Sequence, residues 1–390
     1  MDTNVLRIIC VEFENLNHFE QGRFYVDFTA TDRVMKNSEL YKVSGNIFSQ
    51  SLIGFIGLNA TGKTTALRLL KIALNIVIYN QDLNLLGLND VIASGTVLRI
   101  TFFYQGFYYQ LEAIIESKKN KFYYSEEILK KKTANSIKSR KDVANFSDEI
   151  CIEKSKRSDL TSDDKKYLDD GKSFINPVIK DNSSYVFDNL WLNYINMAYS
   201  SGDTPSEILE VFDESIETLT IEEPSSSDNS SKWLLKFKDS NIKYNGSNAI
   251  ALNLLISTGT IRGQELIQRA IEALKSGGYL IVDELEMHLN KEILKVILNL
   301  FKSKDTNPRG ACLIFSSHYA EILDIQSMNR KDNIYITRKK NHLMTVSKFS
   351  DEFSRNDFKK SDIILSNALG GTAPKYESIK KLRDYICRML

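Results

Sequence analysis

The stretch Phe55-Ile56-Gly57-Leu58-Asn59-Ala60-Thr61-Gly62-Lys63-Thr64-Thr65 places two glycines, a lysine and hydroxyls at the spacing G-x-x-x-x-G-K-[ST]. That pattern suits the grip of a nucleotide's phosphates. Backbone N–H groups from Gly57 through Thr65, including those of Asn59, Ala60, Thr61 and Gly62, can cradle the β-phosphate at a helix N-terminus, where the helix dipole favours an anion. Lys63 can reach the β- and γ-phosphates, and the Thr64 hydroxyl can ligand Mg²⁺. A plain Gly-rich strand–helix turn is the competing account, but here strand, loop, Lys-Thr and helix agree.

A second chemical cluster lies far downstream. Tyr279-Leu280-Ile281-Val282-Asp283-Glu284 is an apolar run ending in two acids, a Walker-B pattern. Asp283 can hold Mg²⁺, directly or through water, and Glu284, facing the other way, is placed to polarise an attacking water. The alternative is a strand that happens to end in an acidic turn. Ser257 and Gly259 precede a helical pattern, Ile261, Ile267, Ala270, Ile271 and Leu274, which Gly277-Gly278 stops. They form a second helix N-terminus for an anion, or an N-cap serine alone. Residues 311–316 read as a strand presenting His318 at its C-terminal end. Parallel α/β sheets place ligands at that edge, where a neutral imidazole can hydrogen-bond a γ-phosphate or the attacking water. A lone exposed histidine is the blander account, and His18, His288 and His342 are left with it.

The elements that must position these groups are legible in outline. Leu52, Ile53, Phe55 and Ile56 read as a buried strand entering the loop, and Ala66, Leu69, Leu70, Ala73, Ile76 and Val77 fall at helical spacing after it. Residues 5–13 and 24–28 read as paired strands, with 41–43 leading a third, so a β-layer precedes the loop. Residues 97–105 and 107–115 form a hairpin about Gly106, with Tyr104, Phe107, Tyr108 and Tyr109 near its tip. Those aromatics either pair across the strands or stack on bases. Lysine runs mixed with acids (Lys118-Lys119, Lys130-Lys131-Lys132, Lys138 to Lys141) begin a segment expected to be helical or partly flexible. They make a solvated face or a phosphate-backbone or protein contact. Residues 185–199 are apolar enough to pack, 207–219 read as an acidic amphipathic helix, 223–231 as a loop, and 233–237 with 242–244 as another hairpin. Residues 367–376 break two helical stretches near the end.

The totals are those of an ordinary soluble globular chain: 390 residues, 42% hydrophobic and 26% charged, with net charge +1. The balance gives no global nucleic-acid signal. The four cysteines form no C-x-x-C and suit a reducing compartment. No signal region and no membrane-length apolar run is evident, so a cytoplasmic location without membrane partners is expected.

In their order, these motifs make the chain similar to the ATP-binding-cassette ATPases, and most to the branch with the SMC proteins, double-strand-break-repair ATPases and OLD-type ATPases. The likeness covers residues 5–115 and about 233–346. It implies an α/β P-loop head, a mixed sheet with an antiparallel β-layer and flanking helices, that binds ATP and Mg²⁺. It divides the chain into an N-terminal lobe (1–116), a mainly helical, charged insertion (117–231), a C-terminal lobe (232–348) and a C-terminal helical segment (349–390). Gly57 and Asp283 stand about 225 residues apart, too far for a bare cassette. The likeness makes Ser257 and Gly259 the signature motif, here Ile-Ser-Thr-Gly-Thr in place of Leu-Ser-Gly-Gly-Gln, places Leu289-Asn290 in the D-loop, and makes His318 the switch histidine. The Ser257–Gly259 helix end is then expected to meet ATP held by a partner protomer, in a head-to-tail dimer or a higher assembly of dimers. The absence of a long coiled coil and of a carboxylate nuclease motif after His318 resembles the stand-alone ATPase subunits of bacterial anti-phage systems such as PARIS. That likeness implies a sensor or scaffold controlling a separate effector, a nuclease, with a phage-encoded trigger. A DNA-associated repair-type ATPase, with duplex bound by the basic insertion, is the alternative. The soluble ATPase subunit of a membrane transporter is a third class, against which the insertion and hairpin argue.

Overall fold

In the computed structural model, the residues described are 4–34, 39–137, 139–190, 202–222, 232–247, 249–355, 358–374 and 376–389. The strand Leu52–Ile56 is buried along its whole length. Ile53 and Phe55 enter one core, Leu52 and Ile56 the other. A strand with no solvent face selects apolar residues at every position, which is why this one reads as a continuous run. It lies inside a six-stranded sheet ordered Val186–Asn189, Tyr279–Val282, Cys312–Ser317, Leu52–Ile56, Ile334–Lys340 and Leu343–Lys348. All neighbours in this order pair parallel except the last two, which form an antiparallel hairpin. The strands carrying the loop, His318 and the two acids are therefore consecutive neighbours.

The helix Lys63–Tyr79 is clamped between this sheet and a second six-stranded layer, whose order is Phe24–Asp27, Arg7–Glu14, Thr96–Tyr104, Phe107–Lys118, Lys121–Thr133 and Glu153–Lys156, antiparallel throughout. Ala66, Leu67, Leu70 and Leu74 share one core with Phe13, Leu98 and Leu111 of the layer and with Phe55 and Ile314 of the central sheet. Each fully buried Leu, Ile or Phe side chain contributes about 1.5–3 kcal/mol. The other sheet face is covered by the helices Thr258–Ser276 and Lys291–Lys302. A four-stranded antiparallel sheet, running from Gly202–Asp203 through Ile216–Glu222 and Lys232–Phe237 to Lys243–Gly246, packs with the helices Ser206–Phe212 and Ala249–Leu255 around a third core that includes Ile261.

The expected strand pair near the N-terminus and both expected hairpins are present. Tyr41–Ser44 pairs with Ile47–Ser49 in a small hairpin of its own. Three of the four hairpin aromatics, Tyr104, Tyr108 and Tyr109, are buried, while Phe107 is half-buried with the Lys131 ammonium over its ring; Phe102–Tyr109 and Phe103–Tyr108 pair across the strands at ring separations of 5.1 and 5.0 Å. No base can stack on buried rings.

The expectation of a mainly helical stretch over 117–231 is corrected. Lys121–Thr133 is a 13-residue strand paired with Phe107–Lys118, and Val186–Asn189 is an edge of the central sheet. The described helices of this stretch, Arg140–Ala144, Ser162–Tyr167, Asn176–Ile179 and Ser206–Phe212, are short. The lysines misled because their partners lie across strands rather than along a helix. Lys131 pairs with Glu153 at 3.2 Å and lies over the Phe107 ring, and Lys130 approaches Glu112 at 3.9 Å. Lys132 is fully buried. Its ammonium donates to the carbonyls of Asp142, Val143 and Asn145, and burial lowers its pKa to about 8. The helix expected over 207–219 stops at Phe212, and Ile216–Glu222 is a strand. Residues 191–199 of the apolar run and the 223–231 loop lie outside the described residues.

Candidate active site

The loop between Leu52–Ile56 and Lys63–Tyr79 is shaped by close contact. A Cβ on Gly57 would stand 2.3 Å from the Thr337 hydroxyl oxygen and 2.4 Å from the Thr337 carbonyl oxygen, so only glycine lets the neighbouring strand approach. Thr61 is buried, and its Oγ1 donates to the Leu58 carbonyl at 2.8 Å. Ala60 and Gly62 take positive φ, 59° and 98°, turning the backbone into the helix. Asn59, Ala60 and Thr64 are exposed, and Thr65 is half-buried. Lys63, 5% exposed, folds back across the loop. Its Nζ donates to the carbonyls of Gly57 (2.8 Å) and Leu58 (2.9 Å) and meets His318 Nδ1 at 2.9 Å. Burial lowers its pKa to about 8, against the pull of Asp283, Glu284 and Glu286.

The acid strand delivers Asp283 directly to the loop. Thr64 Oγ1 donates to Asp283 Oδ2 at 2.6 Å, and Ser316 Oγ donates to Asp283 Oδ1. Glu284 follows with φ 50°, a left-handed conformation uncommon outside glycine, and both of its backbone polar groups are held. Its N–H donates to Ser316 Oγ at 2.8 Å, and its carbonyl accepts from Arg262 Nη2 at 2.7 Å. The turned backbone leaves its carboxylate 2.9 Å from His318 Nε2. A lysine ammonium can only donate, so Nδ1 of His318 accepts from Lys63 and Nε2–H donates to Glu284, a tautomer assigned from this network. The result is one chain of contacts, Lys63–His318–Glu284, spanning three adjacent strands' ends. The His318 N–H donates to Glu286 Oε1 at 2.7 Å, which fixes the histidine's backbone too.

Thr64 and Asp283 supply hard oxygen donors from two elements already in contact, which fits Mg²⁺. No cluster of three or more His, Cys, Asp or Glu able to hold a metal occurs among the described residues, so the remaining ligands would be water and phosphate oxygens. Bound there, Mg²⁺ would neutralise phosphate charge; Thr64 and Asp283 would hold it.

Gly57 to Thr65, Asp283, Glu284 and His318 are thus brought together at one sheet edge. Ser257 and Gly259 make their contacts elsewhere. Ser257 is exposed and caps the Thr258–Ser276 helix, its Oγ accepting from the Thr260 N–H at 3.0 Å. A Cβ on Gly259 would lie 2.6 Å from the His288 carbonyl oxygen, so this helix end rests on the turn that follows the acids. Asn290 caps the next helix through the Ile293 N–H at 2.9 Å. Ser316, Glu286, Thr337 and Arg262 were not singled out from sequence. Ser316 had a signal, since it lies near the end of the strand, two residues before His318. Thr337 and Arg262 carry no local pattern; only the packing of distant segments brings them in.

No helix among the described residues is long and apolar enough to cross a membrane. Residues 52–324 match the family model described as "AAA domain, putative AbiEii toxin, Type IV TA system". No curated protein matches the chain.

Proposed function

The chain belongs to that AAA family of P-loop domains, and from this premise we propose that it binds and hydrolyses ATP with Mg²⁺ as the switching subunit of an antiviral system. The observation that carries the reading is the convergence of Lys63, Thr64, Asp283, Glu284 and His318 at one sheet edge, through contacts of 2.6–2.9 Å. Lys63 exchanges its loop carbonyls and His318 for phosphate oxygens. Glu284 takes the proton of the attacking water, and the Nε2–H of His318 orients the carboxylate until substrate arrives. Ser257 and Gly259, on an exposed helix end away from Lys63, serve a nucleotide held by a second copy placed head to tail. Only the triphosphate bridges the two copies, so hydrolysis opens the pair and releases or commands a separate effector, in keeping with a toxin–antitoxin setting. The DNA-repair alternative loses support from one of its three lysine runs, Lys130 to Lys132, whose members are engaged with Glu112, Glu153 and backbone carbonyls.

Glu284→Gln is the test. The expected protein binds MgATP with wild-type affinity but turns over slower by about 10² or more, and accumulates as the closed assembly on sizing columns. Turnover at the wild-type rate would remove Glu284 from the role of base.

A further inference from the structure

Arg262 lies on the helix Thr258–Ser276, just after the capping Ser257, and is 3% exposed. A guanidinium is seldom buried without a carboxylate fork, because removing its charge from water is unfavourable. Here Nη2 donates to two backbone carbonyls, those of Asp283 (3.2 Å) and Glu284 (2.7 Å). Its Nε is buried without an acceptor. Glu286 shows the reciprocal condition: Oε1 holds the His318 N–H, while Oε2 is buried without a donor. A buried orphan donor and a buried orphan acceptor therefore flank Glu284, one on the helix and one on the acid turn.

The same helix touches that turn at both ends. Arg262 grips its start at Glu284, and Gly259 abuts its end at the His288 carbonyl. Glu284 holds a positive φ of 50°, so its carboxylate direction depends on what restrains its carbonyl. We infer that Arg262 is a positioning residue that couples the Ser257–Gly259 helix end to the direction of the Glu284 carboxylate. A shift of the helix when Ser257 and Gly259 meet phosphate on another copy moves the Arg262 fork, and with it the Glu284 backbone and its hold on His318. The inference rests on the reading of Glu284 as the base in ATP hydrolysis.

The test uses the full chain with Arg262→Met, which keeps the apolar stem but no donor, and Arg262→Lys, which keeps the charge and N–H donors but on one nitrogen. MgATP affinity, melting temperature and saturated turnover are read on the same preparations. Arg262→Met is expected to bind MgATP within about twofold of wild type while its turnover falls on the order of 10²-fold, the scale of a misplaced reacting group, and Arg262→Lys to recover part of the loss. Combined with Ser257→Ala, Arg262→Met is expected to add less than about twofold to the serine variant's loss, since both act along one path. Wild-type turnover in a folded Arg262→Met protein overturns the inference, and so does full multiplication of the two losses. If Arg262→Met does not fold, Arg262→Lys carries the test: a fall of about threefold or more supports the coupling, and unchanged turnover overturns it. Absence of turnover in wild type rejects the ATPase reading itself, and the inference with it.

Discussion

Lys63 sets the residue scale. Its ammonium is desolvated between two loop carbonyls and an imidazole, and burial brings its pKa to about 8 in the free protein. Bound phosphates favour the charged form, so above pH 8 nucleotide binding must take up a proton. Affinity is therefore complete below about pH 8 and falls as the pH rises past it, by up to about tenfold per unit, until the bound lysine itself titrates. Calorimetric titration of MgATP between about pH 6.5 and 9.5 would display this decline, along with proton uptake at the upper end. An affinity constant across that window would mean that the Lys63 charge does not contribute to binding. The P-loop motif alone gives no hint of this sensitivity, because it arises from burial of the ammonium by the walls of the site.

At the scale of elements, the loop works because its strand has close neighbours on both sides. Thr337, on the strand Ile334–Lys340, lies against Gly57 with both its hydroxyl and its carbonyl oxygen inside 2.5 Å of where a methyl would sit. A carbonyl in a paired strand cannot swing away as a flexible side chain can. Gly57→Ala is expected to destabilise the fold by about 1–3 kcal/mol, as overpacking does, and to weaken MgATP binding by distorting the cradle. Chemical denaturation and a binding titration on one preparation check both effects. An alanine variant as stable and as tight-binding as wild type would show that the loop yields at no cost. Strand-to-strand contact also explains the error over residues 117–231. Acids and bases in turn along one chain look the same whether their partners sit one helical turn away or on the next strand, as Lys131 and Glu153 do.

For the whole molecule, the central sheet separates two large cores, and the nucleotide edge lies where the loop, acid and histidine strands end together. One copy holds Lys63, Thr64, Asp283, Glu284 and His318 in contact, while Ser257 is exposed on another helix end. If a second copy completes the grip, specific turnover must fall on dilution, because the competent species is an assembly. ATPase rate per chain, followed over about a thousandfold range of protein concentration with sizing of the same samples, checks this. A rate per chain that is the same at every dilution would leave a self-sufficient monomer and end the head-to-tail scheme.

The phosphate loop, the acid pair, the histidine strand and the helix cap were legible in the sequence because each rests on local chemistry: residue types at short fixed spacing, bounded by an apolar strand or a helical stripe. Tertiary structure alone decided that Cys312–Ser317 lies between the loop strand and the acid strand, which sets His318 between Lys63 and Glu284. It also decided that Ser316 and Arg262 restrain the Glu284 backbone, and that the charged strand Lys121–Thr133 extends the antiparallel layer. These depend on which distant segments become neighbours. A one-dimensional pattern does not encode that when the partners are single residues on separate strands and helices.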